Sequence, residues 1–283
     1  MLTALNDFLW GQVLVLVLVA VGLLFTVASR GVQFRYFRRM FGVLRGGMHH
    51  ERGQVSSFQA LVVSVAGRVG SGNIAGVAVA ITLGGPGAVF WMWLIGLMGM
   101  ATSFFECSLA QLFKRTEPDG SFRGGPAYYL THGVGQRGLA AVYSVLLLVT
   151  FGLGFNAVQS YVVATSLAES FGISTWITGL VMVVVLGSVI FGGIRRIALV
   201  SEVIVPIMAL MYFLAALVVI ALHITEVPAA LLLIVKSAFG LEQAVGGGLG
   251  AVILQGVKRG LFSNEAGLGS APNVAAVAHV PHP

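Results

Sequence analysis

Long apolar runs constrain this chain more than any other feature of it. They cover residues 12–29, 57–83, 88–113, 139–168, 175–191 and 199–223, and a last one starts near Gln243 and runs into the segment that follows. About 20 apolar residues, at 1.5 Å of rise each, let a helix cross a bilayer. Inside hydrocarbon every backbone N–H and C=O must be bonded within the protein. The expected class is therefore an all-α, polytopic membrane protein. Only 9% of the residues are charged, against about a quarter in soluble domains. The 38 glycines suit helices that pack closely through small side chains. The single cysteine, Cys107, excludes an internal disulfide and a cysteine-rich metal site. The first run reads as a retained helix and not as a cleavable signal. Asp7 precedes it where a basic cluster would be needed, and no small-x-small site ends it. Residues 224–240 are apolar but short and carry Pro228 and Lys236, which suits a surface or re-entrant helix.

Charge placement sets the expected topology. The loop after the first run holds Arg30, Arg35, Arg38, Arg39, Arg45 and Arg52. The loop after the third holds Lys114, Arg115, Arg123 and Arg137, and the loop after the fifth holds Arg195 and Arg196. The opposite loops hold almost nothing but Lys236. By the positive-inside rule the basic loops are cytoplasmic and the N-terminus is outside. The net charge of +6 is thereby accounted for without nucleic acid. His49 and His50 share the first basic loop, and with no third or fourth ligand nearby in sequence they read as solvated residues. No low-complexity linker divides the chain.

Residues 69–76 read VGSGNIAG, inside the second apolar run. Glycine costs about 1 kcal/mol relative to alanine in a helix interior. With the run starting near Ser57, Gly70 is about 13 residues in, roughly 20 Å of rise, at or just past mid-membrane. Two readings stand. Gly72 and Gly76 have the spacing of a small-residue packing face. Alternatively the helix unwinds there, which requires burial in protein or a wet cavity. Freed N–H groups at a half-helix start would receive an anion, and freed carbonyls at a half-helix end a cation. Secondary transporters hold substrate and coupling ion near the midplane in this way. A dinucleotide loop is disfavoured, because no strand precedes the segment and the segment reads as transmembrane.

Five stretches carry a resemblance: GRVGSGNIAGVAVAITLGGPGAVFWMW (residues 67–93), FRGGPAYYL (122–130), GFNAVQ (154–159), FGGIRRIA (191–198) and GVKRGLFSNEAGLGSAPN (256–273). From about Arg52 to its end the chain resembles the alanine or glycine:cation symporter family. The resemblance implies coupled uptake of a small neutral amino acid with Na⁺, or with H⁺. It also implies an inverted-repeat fold of the leucine-transporter type, two five-helix halves with discontinuous first and sixth core helices. On that scheme residues 1–54 are an extra N-terminal helix and basic cytoplasmic loop. Residues 55–223 are the first five-helix repeat, and residues 224–283 start a second, incomplete one. The chain departs from the family in two respects. Ser71 stands where the family's GTGN has threonine, and the sequence stops at Pro283, which implies truncation after the sixth core helix.

Matching VGSGN to the fold's first broken helix implies roles for named residues. The amides of Ser71 and Gly72 would receive a substrate carboxylate. The side-chain oxygen of Asn73 would lie near a cation and the substrate, and the carbonyls of Ala66 and Val69 would face a second cation. Oxygen ligands suit hard cations. An inter-helix hydrogen bond is the plainer role for Asn73. Phe155 and Gln159 lie four apart, hence on one helix face. Gln159 would bond substrate and Phe155 would wall the pocket, unless both only glue helices together. Depth symmetry puts a second break at residues 255–260, with Gly256 and Val257 offering carbonyls to the substrate ammonium, in preference to residues 246–250. Lys258 and Arg259 follow, with Glu265 near enough in sequence to neutralise one of them. Intramembrane charges are costly and pair with one another. Arg68 is about 11 residues from the cytoplasmic start of its helix and Glu106 about 8 from Lys114, so their depths agree to within a turn. They are expected to pair, as a gate or as a static clamp.

The resemblance thus implies cation-coupled symport across the plasma membrane, with lipid as the surrounding solvent and no cofactor beyond the coupling ion. A channel or exporter on the same breaks, or a non-transporting fragment or subunit, is the alternative. An intramembrane enzyme is not expected. Ser71, Ser263 and Glu265 are present, but no histidine or aspartate at membrane depth joins them and HExxH is missing.

Overall fold

The computed structural model describes residues 2–47, 55–241 and 248–280; His49 and His50 lie outside them. The first span is one apolar helix, Ala4–Ala28. It consists of α1 (Leu2–Phe8), a π-helical turn at Leu9–Val13, and α2 (Leu14–Ala28). Gly31, at φ 70°, ends it by returning its N–H to the Thr26 carbonyl, a left-handed C-terminal stop that glycine adopts without steric cost. Two short helices follow, α3 (Val32–Arg35) and α4 (Phe37–Gly46).

The second span, Ser57–Gly84, is two helices. α5 (Ser57–Arg68) starts at a capping box: the Ser56 hydroxyl accepts from the Gln59 N–H and the Gln59 side chain accepts from the Ser56 N–H. That exchange satisfies two of the donors a helix start leaves bare. α6 (Ser71–Gly84) resumes after Val69 and Gly70. α7 (Gly87–Leu112) is the third span. A hairpin of β1 (Arg115–Thr116) and β2 (Phe122–Arg123) turns at PDGS, where Asp119 accepts from both the N–H and the hydroxyl of Ser121. Those bonds hold the exposed Asp119 carboxyl below the usual carboxylate range. α8 (Pro126–His132) opens on proline at its first position, where the missing N–H costs nothing.

The fourth span, Arg137–Phe171, combines α9 (Arg137–Val149), a π-helical segment at Thr150–Phe155 and α10 (Asn156–Phe171). α11 (Thr175–Ile190) was expected to span, but it has 16 residues and falls among the shorter apolar helices. α12 (Gly193–Leu222) starts earlier than its apolar run, taking in Arg195 and Arg196, and continues through Pro206. α13 (Val227–Ala238), α14 (Gly248–Asn264) and α15 (Ser270–Ala276) complete the chain. Among the described residues, five helices are long and apolar enough to cross a membrane.

The helices fall into two compact units. One comprises Met1–Phe41, Gly72–Phe105 and Ile207–Leu268; the other comprises Gly42–Ser71, Glu106–Pro206 and Gly269–Pro283. The first is centred on Ile95, Met98, Val257 and Leu261, with Val15, Leu18 and Val19 of the first span packed on them. Trp91 of α7 donates to the Ala238 carbonyl at 3.1 Å, tying α13 into the same unit. The second is centred on Val55, Ala60, Ala198 and Ala278. There Val55 pairs with Ala278 in a short parallel bridge, and the His279 N–H donates to the Val55 carbonyl. Gln59 Nε2 donates to Glu202 at 2.9 Å, joining α5 to α12. Ala80, Ala88, Ala101 and Ala110 are fully buried while most large aliphatic side chains stay exposed. Small residues between helices and large ones facing outward is the arrangement lipid favours.

Candidate functional site

The second span is interrupted where its glycines predict. α5 ends as Val69 turns to an extended conformation (φ −92°, ψ 97°), its N–H still bonded to the Val65 carbonyl. The last carbonyls of a helix have no intrahelical partner, and Ala66 lies in that last turn. α6 then begins at Ser71, so Val69 and Gly70 form the whole interruption.

In the unit holding α5 and α10, Gln159 lies directly on this interruption. A β-carbon built at Gly70 would stand 2.3 Å from Gln159 Nε2. Glycine is therefore what allows the amide of Gln159 to reach the backbone here. Phe155, one turn earlier on the same helix, is half-buried and stacked on Phe151 with ring centroids 4.6 Å apart.

In the other unit α6 meets α14. The Ser263 hydroxyl donates to Asn73 Oδ1 at 2.7 Å. A β-carbon at Gly72 would lie 3.2 Å from the ring of Phe262. At Gly76 the same construction meets open space, so the packing-face reading of Gly72 and Gly76 has a contact at one position only. Asn73 makes the inter-helix bond that was its plainer expected role, and that bond sets two hard oxygen donors side by side. Ser263 and Phe262 were not expected in this place. Their signal was the adjacency of FSNEAG to the second glycine cluster.

The second interruption corrects the sequence expectation. α14 runs unbroken through residues 255–260, so Gly256 and Val257 offer no unwound carbonyls. Both are buried in packing. A β-carbon at Gly256 would stand 2.5 Å from the Ala88 carbonyl, one at Gly260 would stand 3.1 Å from Ile95, and Val257 belongs to the core. These glycines bring α14 onto α7. The helix ends after Asn264, and the chain unwinds over residues 265–269 before α15. Glu265, Gly267 and Gly269 have φ of 52°, 88° and 84°. A left-handed non-glycine residue such as Glu265 costs on the order of 1–3 kcal/mol unless its surroundings hold it, and Glu265 is 4% exposed.

Each end of this second interruption is fastened. Asn264 donates to the Ile95 carbonyl and accepts from the Ala266 N–H. The Gly269 carbonyl accepts from Tyr143 at 3.0 Å and from Asn273 at 2.7 Å, which fills both of its lone pairs. A β-carbon at Gly125 (φ 109°) would overlap Asn273, which explains the GGP that precedes α8. Past α15, Lys114 donates to the Ala278 carbonyl at 2.8 Å and lies over the Phe122 ring; burial there pulls its pKa down.

Among the charges, Glu106 is buried, and Cys107 lies within electrostatic reach of both Arg68 and Glu106. Tyr129 on α8 is held protonated well past its usual range, chiefly by burial and next by the nearby Glu106 carboxylate. Lys258 extends its amine toward Gly11 in the π-helical turn of the first span. Among the described residues no three His, Cys, Asp or Glu cluster in a way that could hold a metal ion. The oxygen groups at hand are the Gln159 amide in one unit and the Asn73 amide with the Ser263 hydroxyl in the other.

A chain with this interrupted helix has relatives. Residues 1–283 match the sequence profile of the sodium:alanine symporter family. The chain belongs to that family. This symporter-family chain is 48% identical over 279 residues to the probable sodium/glutamine symporter GlnT of Bacillus subtilis, covering 98% of the chain and 58% of GlnT. It is 50% identical over 278 residues to the amino-acid carrier protein AlsT of the same organism, covering 98% of the chain and 59% of AlsT. It is 40% identical over 285 residues to the sodium/alanine symporter AgcS of Methanococcus maripaludis, covering 98% of the chain and 63% of AgcS. The symporter-family chain thus spans less than two thirds of the length of these relatives. Its family and its apolar helices make it a multi-pass membrane protein.

Proposed function

We propose that the whole protein takes up a small neutral amino acid, alanine or glycine, together with Na⁺ across the plasma membrane, with its basic loops cytoplasmic and its N-terminus outside. The observation that carries this reading is the interruption at Val69 and Gly70 with the Gln159 amide against it; in the other unit Asn73 is paired with Ser263. The amides of Ser71 and Gly72 open α6 and receive the substrate carboxylate, since a helix start presents unbonded N–H groups and a positive dipole end. Asn73 Oδ1 and the Ser263 hydroxyl oxygen turn toward a cation beside that carboxylate. The carbonyls of Ala66 and Val69, at the negative end of α5, face a second. Gln159 bonds the substrate and Phe155 walls the site. The ammonium is met by carbonyls of residues 265–268, because that of Gly269 is already taken by Tyr143 and Asn273. Arg68 and Glu106 neutralise one another beside Cys107. The two interruptions correspond to the paired helix breaks of an inverted-repeat transporter.

GlnT and AgcS are named for different substrates. Glycine at position 72, close to the Phe262 ring, leaves little width for a side chain and favours the smaller one. The test is uptake of labelled alanine, glycine and glutamine into proteoliposomes holding the protein expressed from its complete gene. Alanine or glycine uptake that needs an inward Na⁺ gradient is expected. Uptake unchanged after both Na⁺ and H⁺ gradients are collapsed overturns symport, and glutamine outcompeting alanine overturns the substrate.

A further inference from the structure

We propose that α4 is an interfacial anchor that binds anionic lipid headgroups at the leaflet where the first span ends. At 100° per residue Phe37, Met40 and Phe41 fall within an arc of about 100°; Arg38 and Arg39 lie outside it, and Arg45 flanks its edge beside Phe41. Phe37, Met40 and Phe41 are all more than half exposed. The rings of Phe37 and Phe41 meet edge to face at 5.5 Å, one turn apart, and make a single apolar ridge. Arg35, Arg38, Arg39 and Arg45 are exposed.

The occupant follows from position and charge. The first span ends at Ala28 and α4 begins at Phe37, so only the short α3 and its flanking residues separate α4 from the end of the span. The link is pinned to that span: Val32 and Gln33 are buried, Gln33 donates to Thr26, and Gly31 bonds back to the Thr26 carbonyl. α4 is therefore held at the membrane surface whatever else is present. No Asp or Glu occurs from residue 8 to residue 50, where there are five arginines. A second copy of this face would match the ridge but set arginine against arginine. An anionic leaflet satisfies both halves at once, with the ridge in the acyl boundary and the guanidiniums on phosphates. Arginine is the side chain best shaped for phosphate oxygens.

The experiment is hydrogen–deuterium exchange on the whole protein in nanodiscs of phosphatidylcholine alone and of phosphatidylcholine mixed with phosphatidylglycerol. A ten-residue helix is marginal in water by itself, so its protection reports what it lies on. The expected result is at least about ten-fold slower exchange of the α4 amides with phosphatidylglycerol present, since each surface arginine contributes on the order of five-fold. The gain should vanish in the Arg38→Gln, Arg39→Gln double variant. It should also vanish at about 1 M salt, where the Debye length drops to ~3 Å, while α7 amides stay unchanged throughout. Equal exchange in both lipids overturns the proposal. So does protection that survives both high salt and the double variant, which would place a protein surface over the ridge instead.

Discussion

Gly70→Ala separates a glycine that packs helices from a glycine that admits Gln159, the side chain proposed to bind substrate. Gly70 is not among the glycines with positive φ, so alanine fits the backbone. The new β-carbon would stand 2.3 Å from Gln159 Nε2, 3.1 Å from its Cδ and 3.2 Å from its Oε1. All three atoms belong to the far end of a flexible side chain, which can swing aside. The cost to folding is then small, about 1 kcal/mol or less, within the range of ordinary substitutions. The cost to function is the displaced amide. A hydrogen bond to a charged group contributes about 1.5–3 kcal/mol, and 1.4 kcal/mol is about ten-fold in affinity. Gly70→Ala should therefore raise the half-saturating alanine concentration at least about ten-fold, and Gln159→Ala should do the same. The double variant should be no worse than either single one, because both remove one contact. The assay is labelled alanine uptake under an inward Na⁺ gradient, with the melting temperature of the detergent-solubilised protein measured in parallel. Two results would refute the reasoning: additive losses in the double variant, or a Gly70→Ala protein that melts several degrees lower with unchanged affinity.

Three further outcomes follow from the same geometry. Ser263→Ala removes the donor to Asn73 and should weaken half-saturation by Na⁺ several-fold more than half-saturation by alanine, read from Na⁺ titrations at fixed alanine; equal effects on both would make Ser263 a helix tie only. Gly72→Leu should abolish alanine binding while leaving the protein monodisperse on gel filtration, because even a β-carbon there stands 3.2 Å from the Phe262 ring; normal affinity would return Gly72 to a packing role. On the proposed pairing of Arg68 with Glu106, Arg68→Ala and Glu106→Ala should each destabilise by about 3–5 kcal/mol, the usual cost of stranding one member of a buried pair, with the double apolar replacement far milder than their sum; additive losses in a double-mutant cycle would overturn the pairing.

Most of the secondary structure was legible from the period and length of the apolar runs, and the differences have local causes. α12 starts near Gly193 because Arg195 and Arg196 are good helix formers, although an apolar window excludes them. The extra length of the first span comes from LTALNDF, polar enough to fall outside the run yet free of any helix breaker. Contacts were harder to read than elements. Ser263 was weighed only as a nucleophile, since nothing in one sequence says which residue of α14 will meet Asn73. Tyr143 and Asn273 went unnoticed, because their shared acceptor is a backbone carbonyl.

The misplaced second interruption teaches the most about glycine in membrane helices. Residues 255–260 were preferred to residues 246–250 on depth alone, and Gly267 and Gly269 were not weighed. Spacing argues the other way. Residues four apart share a helix face, so Gly256 and Gly260 together carve one groove, and α7 fills it. Residues two apart share no face, so a pair at that spacing contributes nothing to packing against a single neighbour. Its use is conformational: Gly267 and Gly269 both take positive φ and turn the chain between α14 and α15. Gly70 and Gly72 have the same two-residue spacing and sit at the other interruption, where one makes room for Gln159 and the next for Phe262. At these two interruptions the glycines stand two apart, whereas the pair that carves the groove for α7 stands four apart.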